Sequence, residues 1–204
     1  MSSRELAPTR IALLELGEER ATAREGYALL DEKRMLLATR ILATLRQHDE
    51  QCRRWRAALE RAERALAAAF DRHGVHDLEA RPMGRLSQLL STRIERLFGV
   101  RIPVVAVTPA VFEPPRPPLD ESPEALRAAT DFRVLLALAP LLAGVETALW
   151  RLADEYRRTE RRAGAIEHLL LPELDRAIEE ISAVLEAIDQ EEAQRVRRAQ
   201  GRSR

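Results

Sequence analysis

An apolar stripe repeats at helical spacing, without a proline, from about residue 9 to residue 73 and leaves little choice but a long helix. Its members lie mostly three, four or seven residues apart, with charged residues between them, as on one face of an α-helix. Thr9 is a suitable N-cap and Gly74 a suitable stop, so a single helix of roughly 95 Å is predicted. The stripe consists of Leu13, Tyr27, Leu30, Leu37, Ile41, Leu45, Cys52, Trp55, Leu59, Ala62, Leu66 and Phe70.

A second stripe of the same kind runs through the last third of the chain. Before it, Ser122 can cap a helix, Pro123 fits the first helical position and Glu124 suits the first turn. The mean spacing of about 3.57 residues predicts a helix pair with slight left-handed coiling. The basic end "RVRRAQGRSR" lacks apolar rhythm and is expected to fray. The stripe consists of Leu138, Leu142, Val145, Leu149, Leu152, Tyr156, Thr159, Ala163, Ile166, Leu170, Leu174, Ala177, Ile181, Leu185 and Ile188.

These two helices are expected to pack on each other, because a helix with a narrow apolar stripe gains most of its stability from packing. The predicted fold class is all-α dominated: a long antiparallel two-helix coiled coil with a small middle segment. Paired residue numbers are expected to add to roughly 202, which places Tyr27 near Leu174, Trp55 near Leu149 and both chain ends at one tip of a rod. The predicted parts are residues 1–74, the N-terminal helix; 75–121, the middle segment; and 122–204, the C-terminal helix with its basic tail.

The middle segment has a different character from the helices. The stretch "LLSTRIERLFGVRIPVVAV" is rich in Leu, Val and Ile, and Gly99 lies near its centre. This pattern predicts two short strands joined by a turn, a β-hairpin. The proline-rich stretch "TPAVFEPPRPPLDESP" follows and predicts an extended connector. An isolated hairpin is marginal in water, so we expect it to pack on the helical pair or on a partner.

Composition narrows the classes of function. Charged residues make up 32% of the chain and the formal net charge is zero, so nucleic acid is not an expected partner. No apolar run of about 20 residues is evident, and "MSSRELAPTR" has no apolar signal core. The single cysteine, Cys52, excludes an intramolecular disulfide. A cytoplasmic protein is predicted, with membrane association only through a partner.

Few residues could carry catalysis or bind a metal. His73, His76 and Asp77 lie close together in "RHGVHD", but a polar helix end is the favoured interpretation because no further ligand cluster accompanies them. His168 is interpreted as solvated or partner-facing, and Cys52 as a small core residue. Neither G-x-x-x-x-G-K-[ST] nor G-x-G-x-x-G occurs. We therefore expect no catalytic residue, no cofactor and no metal.

Several residues inside the predicted helices are costly. Gly17, Gly26, Gly144 and Gly164 each cost about 1 kcal/mol relative to alanine. Either they are tolerated, or they allow another backbone to approach closely, and the sequence favours neither explanation. Pro172 costs about 3 kcal/mol because it removes a donor and crowds the carbonyl four residues earlier. Continuous packing on the facing helix is expected to support it as a mild kink.

Three segments carry a family pattern, in order along the chain: "PTRIALLELGEERATAREGYALLDEKRMLL", "FGVRIP" and "TERRAGAIEHLLLPELDRAIEEI". Together they resemble the D subunit of the V-type ATPases, including the archaeal and bacterial A/V-type enzymes, over nearly the whole chain. The chain departs from that family at Gly164, where Asn is usual, and at Met35, where an acidic residue is common. Among the matching positions, those taken as family-motif and candidate shaft-contact residues are Pro8, Thr9, Gly26, Lys33, Arg34, Gly99, Pro103, Arg161, Arg162, Glu167 and Pro172.

The resemblance implies the central stalk, or rotor shaft, of a V-type proton- or sodium-translocating ATPase or ATP synthase. It implies that the paired chain ends insert into the catalytic hexamer of A and B subunits. The base would contact the F subunit and the subunit that caps the membrane ring. As a non-catalytic subunit on the cytoplasmic face of the membrane, the chain would couple ring rotation to ATP synthesis or hydrolysis.

Two alternative functions stay open from the residues alone. The first is a free-standing coiled-coil adaptor or stalk protein of a secretion or other assembly, since periodicity does not distinguish it from a rotor shaft. Co-purification with P-loop ATPase subunits separates these two. The second is a small metal-dependent helical enzyme that uses His73 and His76, which metal analysis and a His76→Ala variant test.

Overall fold

A computed structural model describes residues 7–79, 90–107 and 122–201 of the chain. It confirms the predicted fold class, because two long helical segments flank a two-stranded antiparallel sheet in the sequence. The proline-rich connector predicted after the hairpin lies outside the described residues. The elements are helix α1 (Arg10–Glu79), strands β1 (Leu90–Leu97) and β2 (Val100–Val107), helix α2 (Pro123–Ala165), a π-helical turn (Ile166–Leu170) and helix α3 (Leu171–Gly201).

Helix α1 begins at the predicted cap. The side-chain oxygen of Thr9 accepts a hydrogen bond from the Ala12 amide at 3.1 Å, which satisfies one of the free donors of the first turn. Gly74 interrupts the helix with φ 72° and ψ 167°. A positive φ favours glycine, so the predicted stop occurs as a break, and helical structure resumes up to Glu79.

The second helical segment also begins at its predicted cap. The Ser122 hydroxyl accepts a hydrogen bond from the Ala125 amide at 3.2 Å, and Pro123 occupies the first helical position, where a missing amide hydrogen is harmless. The expectation that the basic end frays is wrong for most of that end, because α3 extends to Gly201.

The hairpin has the predicted glycine-containing turn. Strands β1 and β2 pair with Leu97 opposite Val100 and Leu90 opposite Val107. Between them, Phe98 and Gly99 have φ values of 51° and 84°. Two consecutive positive φ values indicate a type I′ turn, whose twist matches that of the strands. Glycine adopts this conformation freely, whereas it is strained for Phe98.

The chain forms two compact units. The first contains residues 7–36 and 156–201, and thus both ends of the described chain. In it, α1 packs on α3 through a core that alternates small and large apolar side chains. The alanines let the helices approach closely, and the larger residues fill the seam. The buried residues of this core are Ala12, Leu16, Ala23, Leu174 and Ile181.

The second unit contains residues 37–155, including the hairpin. Here the core between α1 and α2 has the same small-residue character at Ala58 and Ala62, which pack with Leu135. Partly buried side chains surround this cluster: Trp55, Leu59, Phe132 and Leu138. Two of the chain's few aromatic residues, Trp55 and Phe132, pack against this core.

The helical segments pair in antiparallel fashion, but not in the expected register. Tyr27 hydrogen-bonds Glu167, and His48 lies 3.4 Å from Glu146, so the residue numbers of both pairs add to 194 rather than 202. Leu174, the expected neighbour of Tyr27, packs instead with the core residues near the start of α1. The expected register assumed a midpoint for the chain reversal, whereas side-chain contacts along the seam determine the actual one.

Candidate functional site

The eleven candidate residues are distributed over the two units. Gly99 and Pro103 belong to the hairpin of the second unit. The remaining nine belong to the first unit, although they come from opposite ends of the sequence. The first unit therefore combines the two terminal segments that carry the family pattern. These nine residues are Pro8, Thr9, Gly26, Lys33, Arg34, Arg161, Arg162, Glu167 and Pro172.

Helix α1 meets the π-helical turn at Gly26 and Tyr27. A side chain at Gly26 would lie 4.0 Å from the Ile166 Cδ1 atom, an ordinary contact distance. The Tyr27 hydroxyl donates a hydrogen bond to the Glu167 carboxylate. Burial and this carboxylate raise the pKa of Tyr27 above its usual value of 10.0. The phenol therefore remains a donor throughout the neutral range.

Pro172 follows a π-helical turn rather than an α-helical one. In this wider turn, the Leu171 amide donates to the Ile166 carbonyl, five residues earlier. A proline cannot donate and crowds the carbonyl four residues back, that of His168. Both π-helical turns and prolines are recognised causes of helix bends. The expectation that the chain continues in helical structure through Pro172 is confirmed.

Two ion pairs join the helices of the first unit. Arg10 lies 3.1 Å from Asp189, and Arg20 lies 2.5 Å from Asp175. Each pair is partly or largely exposed to solvent, and such pairs contribute about 0–1 kcal/mol. They therefore add little stability individually but favour one register over its neighbours.

Charge also covers the outer surface of the first unit. Arg161 and Arg162 are exposed in α2. Arg34 forms an ion pair with Asp31 at 2.6 Å, and both residues belong to α1, so this ion pair does not join the two helices. Arg161 and Arg162 thus present charge to the surroundings, whereas Gly26 and Glu167 lie where α1 meets the π-helical turn.

Three of the four glycines that raised the question of close approach show none. Nothing lies within 4 Å of a side chain placed at Gly17. At Gly26 and Gly164 the nearest side-chain atoms are at 4.0 and 3.8 Å. These three positions therefore fit the explanation of simple tolerance, which the sequence left open.

Gly144 is the exception, and it positions the hairpin. A Cβ atom at Gly144 would lie 2.7 Å from the Val105 Cγ2 atom, closer than real side chains approach. Nearby, the Arg151 guanidinium donates to the Arg101 carbonyl at 2.7 Å. The hairpin therefore packs on α2, one of the two arrangements expected for it, and the close approach comes from a strand side chain rather than a helix backbone.

The histidines make local polar contacts. His73 lies 2.5 Å from the Ser122 hydroxyl through Nε2 and 3.2 Å from Asp77 through Nδ1, so it links the α1 break to the α2 cap. His48 Nε2 lies 3.5 Å from the Cys52 sulfur. Within the stretches that the structure describes, no three His, Cys, Asp or Glu side chains are grouped to hold a metal ion.

Glu124 completes the start of α2. Its own backbone amide and the Arg72 guanidinium, 3.2 Å away, lower the pKa of Glu124 below its usual 4.5, against the opposing effect of burial. The carboxylate is therefore ionised at neutral pH, where a negative charge near a helix N-terminus is favourable.

The apolar surface of α2 was missed in the sequence. The helical stretch Pro123–Arg198 contains an 18-residue window that is apolar enough to cross a bilayer, so the expectation that no stretch could do so is wrong by length and composition. The expectation required an unbroken apolar run. In the structure, Leu135 of α2 packs on Ala58 and Ala62 of α1. A packed helix of a soluble protein meets the same criteria of length and composition, so the window by itself does not indicate a membrane span.

Comparison with known proteins gives one consistent match. The family of ATP synthase D subunits matches residues 12–201. The V-type ATP synthase D subunit of Anaeromyxobacter dehalogenans is 35% identical over 201 residues, which cover 96% of each chain. That of Thermotoga neapolitana is 27% identical over 195 residues, covering 95% of this chain and 96% of the relative. The A-type ATP synthase D subunit of Pyrococcus abyssi is 28% identical over 206 residues, covering 95% and 92%.

Proposed function

We propose that this chain, which belongs to the family of ATP synthase D subunits, is the rotor shaft of a V-type ATPase or ATP synthase. Members of this family are stalk subunits rather than catalytic ones. The shaft couples rotation of a proton- or sodium-translocating membrane ring to ATP synthesis or hydrolysis. The observation that carries this proposal is the pairing of the two ends of the described chain in one charged helical unit, in which Arg10 of α1 meets Asp189 of α3.

A shaft acts by making different contacts with each catalytic site at a given orientation. A ligand or partner shifts a conformational equilibrium only by its differential interaction with the two states. The exposed Arg161 and Arg162 side chains, together with other surface charges, offer contacts of about 0–1 kcal/mol each, which salt screens. Contacts of this size can be exchanged during rotation, whereas a broad apolar surface would hold one orientation.

The seam of the first unit supplies stiffness for this role. Ala12, Leu16 and Ala23 on α1 pack against Leu174 and Ile181 on α3. Burying a leucine or isoleucine side chain contributes about 1.5–3 kcal/mol. The seam is therefore stronger than the surface contacts that must break as the shaft turns.

We further propose that Pro172 and the preceding π-helical turn give the shaft its asymmetry. Both features favour a local bend, and the Tyr27–Glu167 hydrogen bond ties the turn to the facing helix. A bent shaft presents different surfaces to the catalytic sites around it.

The partners follow from the same proposal. The first unit is received by the hexamer of A and B subunits, and the base contacts the F subunit and the ring-capping subunit. The chain then lies on the cytoplasmic face of the membrane, and it reaches the membrane through the complex. Pro8, Thr9, Gly26, Lys33, Arg34, Arg161, Arg162, Glu167 and Pro172 are proposed as shaft-contact or shaft-shaping residues, and Gly99 and Pro103 as shaping residues of the hairpin.

The proposal is tested by purifying the complex through a tag on this chain in its own host. Subunits with P-loop sequences and ATPase activity should co-purify, and ATP hydrolysis should drive ion transport in vesicles. A complex without such subunits would favour a free-standing adaptor instead.

Charge reversal tests the coupling role. Arg161→Glu with Arg162→Glu should leave assembly intact and lower the ratio of ion transport to hydrolysis by up to about thirtyfold, since two surface contacts of about 0–1 kcal/mol each are together worth up to about 2 kcal/mol. The matched control is Arg61→Glu with Arg64→Glu, which reverses two exposed charges of the second unit. Equal effects of the two double variants would contradict a specific role for the first pair.

A further inference from the structure

The hairpin carries two like charges directly opposite each other. Arg96 of β1 pairs with Arg101 of β2 in the antiparallel register. Opposite residues share one face of the ladder, with Cβ atoms about 4.5–5.5 Å apart, and like charges there are destabilising. A neutral or acidic side chain at either position would remove this repulsion. The two arginines therefore do not serve the stability of the hairpin itself.

A third arginine lies at the same place. The Arg151 guanidinium of α2 donates to the backbone carbonyl of Arg101 at 2.7 Å, which brings it next to the pair. All three side chains are exposed. The cluster formed by Arg96, Arg101 and Arg151 is called the arginine face below.

No carboxylate neutralises the arginine face within the described residues. Neither Arg96 nor Arg101 has an acidic partner among residues 7–79, 90–107 and 122–201. The opposite face of the same strand differs, because Arg93 there forms an ion pair with Glu95. The hairpin therefore neutralises one face internally, whereas the arginines of the other face have no carboxylate partner among the described residues.

An apolar groove continues from the arginine face between the hairpin and α2. The groove has a volume of about 500 Å³, and Arg151 forms part of its lining. Its other lining residues are mostly apolar or small, including Pro103, Val105, Pro140 and Gly144. On the same strand face as Arg96, Ile94 is 59% exposed.

We propose that the arginine face and the adjoining groove bind an acidic segment of a partner polypeptide. Its carboxylates contact the arginines, and its apolar side chains enter the groove. Guanidinium groups match carboxylates in bidentate geometry, and apolar anchors beside charged groups are typical of protein interfaces. Nucleic acid and anionic membranes are less suited, because the chain has no net positive charge and the basic patch is only three residues wide.

The surface belongs to the second unit, whereas the shaft function assigns the catalytic hexamer to residues of the first. The inference therefore stands on the hairpin geometry, and the proposed function suggests only where the partner is found. Its failure and the failure of the proposed function can be distinguished in one experiment.

The chain is well suited to zero-length cross-linking because it contains a single lysine, Lys33. A carbodiimide joins a lysine amine to a carboxylate in direct contact and leaves arginine unchanged. Arg96→Lys and Arg101→Lys each keep the positive charge and add a reactive amine. The matched control is Arg93→Lys, on the same strand but on the opposite face, beside Glu95.

Each variant replaces the natural chain in the host, membranes are treated with the carbodiimide, and cross-linked peptides are identified by mass spectrometry. Arg96→Lys and Arg101→Lys should both link to the same Asp- or Glu-containing segment of one other polypeptide, with a yield that falls as salt is raised. Arg93→Lys should link to Glu95 of this chain and not to that segment.

Several outcomes overturn the inference: no cross-link from either variant, links only within this chain or to a second copy of it, or links to unrelated segments. If ATPase subunits co-purify without the predicted link, the inference fails and the proposed function stands. If the segment belongs to a polypeptide outside any ATPase complex, the inference holds and the proposed function fails.

A binding measurement completes the test. The linked segment, made as a synthetic peptide, should bind the natural chain, and Arg96→Glu with Arg101→Glu should weaken binding about tenfold or more. Arg93→Glu should leave the affinity within about twofold, since it reverses a charge on the other face. Equal weakening by both variants would show a non-specific charge effect and overturn the inference. Adding anionic vesicles should not displace the peptide, and displacement would identify a lipid surface as the occupant.

Discussion

Replacing Gly144 with alanine is expected to loosen the hairpin from α2. The new methyl group would lie 2.7 Å from Val105 Cγ2 and 3.2 Å from Val105 Cβ. The Val105 side chain is short and β-branched, and its Cβ atom is fixed to the backbone of β2. The hairpin backbone must therefore shift to relieve the contact. Gly17→Ala is the matched control, since it lies in a helix with nothing within 4 Å of the added group.

The magnitude follows from two opposing terms. Alanine improves helix propensity by about 1 kcal/mol at both positions. At Gly144, overpacking costs about 1–3 kcal/mol, so the net change there is a destabilisation of about 0–2 kcal/mol, whereas Gly17→Ala stabilises by about 1 kcal/mol. Val105→Ala removes the opposing methyl groups, and in the double variant it should restore about 1–2 kcal/mol of coupling energy.

The assay combines urea unfolding of the four variants with amide hydrogen exchange over residues 90–107. If the two units unfold separately, urea unfolding gives no single free energy for the chain, whereas amide exchange still reports the local stability of the hairpin. Gly144→Ala should accelerate exchange in the hairpin, and Val105→Ala should reduce that effect in the double variant. If Gly144→Ala stabilises the chain as much as Gly17→Ala and leaves hairpin exchange unchanged, the contact does not position the hairpin.

Four further predictions concern the π-helical turn, its contact with Tyr27 and the start of α2. Pro172→Ala should raise helix stability by up to about 3 kcal/mol in thermal unfolding and lower the ratio of ion transport to hydrolysis; unchanged coupling would refute a role in asymmetry. The raised pKa of Tyr27 means that its protonated form stabilises the fold below pH 10 and that this contribution is lost as pH rises through the folded pKa. Ultraviolet titration should show one phenol ionising above pH 10, absent in Tyr27→Phe, and a titration identical in both proteins would contradict this. The lowered pKa of Glu124 gives stability above pH 4.5 that is lost as pH falls through the lower folded value, so Glu124→Gln should flatten the acid limb of urea unfolding, and an unaltered limb would exclude the contribution. Ser122→Ala should cost about 1–2 kcal/mol in the same assay at pH 7, because it removes the α2 cap and a partner of His73, and a loss under about 0.3 kcal/mol (on the scale of ordinary surface changes) would argue against it.

The start of each helical segment and the hairpin turn were predictable because they depend on neighbouring residues. Thr9 and Ser122 cap helices through amides three residues away, and Gly99 forms the turn between strands that directly flank it. Rules of this kind need no knowledge of the rest of the fold. The resemblance to the family was also predictable, because it depends on short sequence motifs in a fixed order along the chain.

The register of the helix pair was not predictable in the same way. An Ala- and Leu-rich stripe repeats at every turn, so neighbouring registers bury similar apolar area and differ little in energy. Pairs such as Arg20–Asp175 and Tyr27–Glu167 favour one of them, but they join residues far apart in sequence. Their partnership exists only after the chain has folded back.

The sequence alone thus determined two long helices, their caps and a short hairpin, because local backbone and side-chain preferences decide each of these. The tertiary structure decided which helical turns face each other, that Val105 packs into the space left by Gly144, and that Arg151 joins the Arg96–Arg101 pair. Each of those results depends on the distance between atoms of separate elements, which no periodicity along a single chain encodes.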